Sequence, residues 1–93
     1  MEKELDTTSM NELYGAILKL KTKDECKKFF RDLCTLSELQ AMSERFQVAK
    51  LIEKNIPYRT ICEKTGSSTA TITRVAHWFH HGEGGYKLAL HRA

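Results

Sequence analysis

The segment from Leu36 to Lys54 carries two neighbouring apolar stripes where a surface helix carries one. Leu39, Met42, Phe46 and Ala49 form the first; Ala41, Val48, Leu51 and Ile52 form the second. A helix apolar over that width has to be covered on two sides. A chain of 93 residues has little spare surface to provide that cover. A second copy of the chain is the economical source of it, so the segment is read as the centre of a homodimer.

The rest of the chain is punctuated for helices as well. Ser9 with Glu12, Thr22 with Glu25 and Thr35 with Glu38 are three Ser/Thr-x-x-Glu boxes. In such a box the hydroxyl and the carboxylate each satisfy a free N–H at a helix start. Met10, Leu13, Tyr14, Ile17 and Leu20 follow the first box at helical spacing. Cys26, Phe29, Phe30, Leu33 and Cys34 follow the second and match an amphipathic helix template throughout. No alternation of apolar and polar residues persists long enough for a strand. The expectation is an all-α fold in a single domain, 1–93. It has a frayed start over 1–8, dimerisation helices over 9–54, a helix-turn-helix over 57–80 and a tail over 82–93.

Charge is divided unevenly along the chain. Residues 1–55 hold ten Lys/Arg and ten Asp/Glu, whereas residues 56–93 hold Arg59, Lys64, Arg74, Lys87 and Arg92 against Glu63 and Glu83. The net +3 therefore sits in the last third, with all four histidines. A basic surface confined to one segment suits a polyanionic partner; a merely solvated face would have the same composition. Cys26, Cys34 and Cys62 show no Cys-x-x-Cys spacing and lie on apolar stripes, so they are read as reduced core filler. The acidic, polar start resembles no secretory leader, and no apolar run is long enough for a membrane span. A cytoplasmic location without membrane partners is expected.

Pro57 to Val75 has the layout of a helix-turn-helix. Pro57 suits a first helical turn, Ile61 and Cys62 face inward, and Gly66 supplies the left-handed position of a tight turn. Ser67 or Ser68 caps the next helix, which runs to about His80; Tyr86 to Ala93 forms a short closing helix. At about 100° per residue, Ile72, Val75, Ala76 and Phe79 share one side of the second helix. Ser67, Ala70, Thr71, Arg74, His77, Trp78 and His81 share the other. No acid lies between Ser67 and Gly82. Hydroxyls can bond phosphates or base edges, Ala70 or a threonine methyl can meet a thymine methyl, and arginine can reach guanine or phosphate. The expected DNA contacts are Arg59, Lys64, Ser67, Ser68, Thr69, Ala70, Thr71, Thr73, Arg74 and His77.

The stretch Leu33-Cys-Thr-Leu-Ser-Glu-Leu-Gln-Ala-Met-Ser-Glu-Arg45 and the string Ala70-Thr-Ile-Thr-Arg74 resemble the bacterial Trp repressor. The length and the His77-Trp-Phe-His-His-Gly ending resemble its YerC/YecD branch. The likeness spans about residues 10–80. It implies an intertwined all-helical dimer acting as a transcriptional repressor on double-stranded DNA. Two recognition helices would address palindromic half-sites about 34 Å apart. It also implies an effector pocket at Thr35, Arg45, Arg74 and Trp78, the positions matching the corepressor site. This sequence departs from the family there: Val75 stands where a glycine leaves room and Trp78 where a serine contacts the ligand. Trp78 is therefore expected to lie over Arg74 and fill that space. No cofactor is expected; L-tryptophan or another small effector is the alternative.

Two other functions remain open on the residues alone. One is a helical dimerisation or adaptor module without DNA binding. The other is a sensor using Arg45 and Arg74 for an aromatic or anionic metabolite. His77 and His81 stand i, i+4, as a metal pair can, but no second ligand cluster lies near them in sequence, so no metal is assigned. No Gly-rich phosphate loop or nucleophile–base pairing argues for an enzyme.

Overall fold

The computed structural model describes residues 1–92, and every regular element among them is helical. A 3-10 turn at Lys3–Leu5 precedes α1 (Thr8–Leu18), α2 (Lys23–Leu33), α3 (Leu36–Glu53), α4 (Tyr58–Thr65), α5 (Thr69–His81) and α6 (Gly85–His91). The expected closing helix is present as α6, and Ala93 lies outside the described residues. The chain divides into two compact units, residues 1–39 and 40–93, so the boundary falls within α3.

In the first unit the helix starts are set by side-chain caps. Thr7, not Ser9, caps α1: its Oγ1 accepts from the Met10 N–H at 3.1 Å. The Asn11 amide secures this start by donating to the Thr7 carbonyl and to Asp6 Oδ1. A 3-10 turn at Lys3–Leu5 precedes this start, and α1 begins at Thr8, one residue before Ser9. Thr22 caps α2 through the Glu25 N–H at 3.1 Å, while Glu25 reaches past it to accept from the Lys21 N–H. At the start of α3 the reciprocal box is complete: Thr35 N–H donates to Glu38 Oε1 at 2.8 Å, and Glu38 N–H donates to Thr35 Oγ1 at 3.1 Å. No residue of α1 or α2 is buried. Leu18 and Leu33 are exposed, as is Leu36 at the start of α3.

The bonds from the Thr35 backbone and hydroxyl hold the Glu38 carboxyl below its ordinary value of 4.5. A depressed carboxylate contributes stability that is present above its unfolded pKa and is lost as pH falls through the folded one. Acid melting of the parent chain should therefore contain a component, beginning below about pH 4.5, that Glu38→Gln removes. Identical melting profiles for the two chains between pH 3 and 6 would contradict this account of the box.

The second unit holds the core. Val48, Ala49 and Ile52 from α3 meet Ile61 from α4 and Ile72, Val75, Ala76 and Phe79 from α5. Leu51, Ile56, Cys62, Tyr86 and Leu90 pack around them. Of the two stripes on α3, the buried part is thus the last turns of both, while Met42 stays exposed. The free cysteines are only half-buried: Cys62 packs against the core as expected, whereas Cys34 is the C-cap of α2 in extended backbone. Asn55 ends α3 with φ of 59°. Its N–H reaches Ile52 O and the Ile56 N–H reaches Leu51 O, the paired bonds of a Schellman ending. His91 Nε2 lies 2.7 Å from Glu53 Oε2, tying the end of α6 to the end of α3.

Candidate nucleic-acid interface

The two helices that would read DNA are α4 and α5, and they pack against each other across the turn at residues 66–68. Ile61 at the centre of α4 and Ile72 on α5 are both fully buried. This pairing fixes which faces turn outward. Gly66 closes α4 with φ of 73°, a conformation costing an L-residue about 1–2 kcal/mol, and its N–H bonds Cys62 O. Ser68 then caps α5, accepting from the Thr71 N–H at 3.1 Å and donating to Thr71 Oγ1 at 3.0 Å.

The inward face of α5 is the set Ile72, Val75, Ala76 and Phe79, as the helical spacing predicts. Ser68, Thr69, Ala70, Thr73, Arg74 and His77 are exposed, and Thr71 is half-buried. Arg59 and Lys64 are exposed on α4. Nine of the ten expected contact residues thus have surface to offer. The amino end of α5 presents free N–H groups and a positive dipole end with no acid in its first turn.

Ser67 is the exception and corrects the expectation for that residue. It is 5% exposed, its Oγ donates to Glu44 Oε1 at 2.6 Å, and its N–H donates to Thr65 Oγ1 at 3.1 Å. The Thr65 hydroxyl in turn donates to the Ile61 carbonyl at 2.7 Å. A serine in a Gly-Ser-Ser turn carries no local sign of which hydroxyl turns inward. Its acceptor, Glu44, lies 23 residues upstream on α3, beyond the reach of any local pattern.

Trp78 also departs from expectation. It is 47% exposed and its ring edge is turned toward Gly82, where a Cβ would stand 2.9 Å from Cε3, rather than back over Arg74. The missing side chain at Gly82 leaves the room the ring takes. A cation–π contact forms elsewhere, between Lys87 Nζ and Phe79 at 5.5 Å. With Glu83, Gly85 and Tyr86, Trp78 lines an open groove of about 390 Å³. Of the other residues assigned to an effector pocket, Arg45 is half-buried, Arg74 is exposed, and Thr35 belongs to the first unit, engaged with Glu38. The His77 and His81 rings lie with centroids 5.5 Å apart, tilted at 47° to each other. Among the described residues no three His, Cys, Asp or Glu side chains gather as a metal set, and no helix is long and apolar enough to cross a membrane.

Known proteins share this arrangement over almost its whole length. The chain is 42% identical over 90 residues to the uncharacterised protein YerC of Bacillus subtilis (strain 168), covering 97% of this chain and 82% of that one. A TrpR-like protein of Eubacterium eligens ATCC 27750 superposes with a TM-score of 0.92 at 43% identity, over 96% of this chain and 92% of that one. A chain from Staphylococcus aureus described as a candidate Trp repressor superposes at 0.90, also at 43% identity, over 95% and 88%. The family model for the Trp repressor protein matches residues 8–93. With the helical order and the turn at Gly66 already in place, the chain belongs to the Trp repressor family.

Proposed function

We propose that the chain is a sequence-specific DNA-binding transcriptional regulator, a repressor, that works as an intertwined homodimer with α5 in the major groove. One observation carries the reading: an outward, acid-free edge from Ser68 to His77, held by the core that buried Ile61 and Ile72 share. Its hydroxyls and Arg74 are base-edge and phosphate partners, and Arg59 and Lys64 add charge beside it. Membership of the Trp repressor family supports the same assignment. The dimer is supported by apolar side chains left open on α1, α2 and α3: Tyr14, Leu18, Leu33, Leu36 and Met42. Two copies about a dyad would present their α5 helices about one DNA turn apart.

Selection of bound duplexes from a random pool, followed by titration over 50–200 mM salt, tests this. The expected result is a palindromic site with half-sites about 34 Å apart and an affinity that falls steeply with salt. No retardation of any duplex at low salt would remove the DNA reading and leave a helical adaptor.

A further inference from the structure

Buried Ser67 bonds half-buried Glu44, which stands on a different helix from the turn it grips. We propose that Glu44 is a positioning residue for the DNA-reading helix, holding the turn through Ser67 so that α5 is set at its working angle by the chain's own side chains. This rests on the DNA-binding reading given above.

The bond is a clamp because of where it lies. Ser67 stands between the last residue of α4 and the cap of α5, so its position decides how the two helices meet. The hydroxyl of a serine that is only 5% exposed must find a partner to offset the hydration it gave up. At 2.6 Å the Glu44 oxygen meets it at the short distance typical of hydroxyl–carboxylate bonds. The Ser67 N–H is meanwhile committed to Thr65, and the Thr65 hydroxyl to the Ile61 carbonyl. Three bonds in sequence thus run from α3 through the turn to the fully buried centre of α4. A turn in which Ser67 pointed elsewhere would break the first of these and free the polar groups it now satisfies. Gly66 gives the backbone wide freedom at the preceding position, so the constraint has to come from the side chains that follow it.

The test uses Ser67→Ala, Glu44→Ala, their double variant and Glu44→Gln in the full chain, read in two ways. One is affinity for the selected duplex across salt; the other is amide exchange without DNA. Each alanine variant should weaken binding about tenfold, about 1.4 kcal/mol, with the double variant no weaker than either. The salt slope should stay unchanged because no phosphate contact is lost. Amides from Gly66 to Thr71 should exchange faster while those around Val48 and Ile61 do not. Glu44→Gln keeps a carbonyl acceptor and should retain most of the parent affinity, an outcome that loss of general stability would not produce. If Ser67→Ala fails to fold, the two Glu44 variants carry the comparison. Parent-like affinity and exchange in the alanine variants would overturn the clamp while leaving DNA binding intact. A parent chain that binds no duplex would overturn the functional reading itself, and the clamp's role with it.

Discussion

Arg74→Ala should weaken binding to the selected duplex by ten- to a hundredfold, about 1–3 kcal/mol, and leave the melting temperature where it is. Arg74 is exposed on the polar edge of α5, so its removal takes nothing from the core. Surface changes of that kind stay within about 0.5 kcal/mol. The form of the loss identifies the contact. A guanidinium paired with guanine relaxes preference at one base position, whereas one paired with phosphate weakens all sequences alike and reduces the salt slope by about 1. Fluorescence titration on the selected site and on single-base variants separates the two. Unchanged affinity on every duplex would show that this edge of α5 is not the reading surface.

Ile72→Ala should have the opposite profile. Ile72 is fully buried beside Ile61, and the change leaves a cavity where α5 joins the core. Truncations of this kind cost about 2–5 kcal/mol, a large share of the 5–15 kcal/mol that holds an ordinary domain together. In a chain of this size that is a fall of roughly 10–30 °C in melting temperature, followed by circular dichroism. Thr73→Ala, one residue on and exposed, should move the midpoint by only a few degrees. Equal shifts for the two would mean that α5 is not seated as the fold places it.

How much of this was legible in the residues depended on how far each interaction reaches. The inward face of α5 followed from spacing alone, because a helix repeats every 3.6 residues whatever surrounds it. Gly66 as the turn was readable for the same local reason, as was the Thr35–Glu38 box, while the cap of α5 was narrowed to Ser67 or Ser68. The start of α1 was misread because Thr7 and Ser9 are both good caps, and the choice went to the one Asn11 can support. The end of α3 was readable to within a residue, about Lys54 against Glu53, although the left-handed role of Asn55 was not assigned. Ser67 and Trp78 were misread for a further reason. The partner of one lies on a helix 23 residues away, and the space for the other is created by a glycine downstream. The buried seat of α5 was thus foreseeable, while the long-range contacts around its turn and its far end were not.

The bare flanks of α1 and α2 carry a thermodynamic consequence. A pair of helices with no buried side chain cannot owe their persistence to a private interior. In the proposed dimer their order would come from association, and dilution would act on them as a denaturant. The midpoint of unfolding should climb with protein concentration over the micromolar range, and a midpoint indifferent to concentration would show that these helices stand unaided.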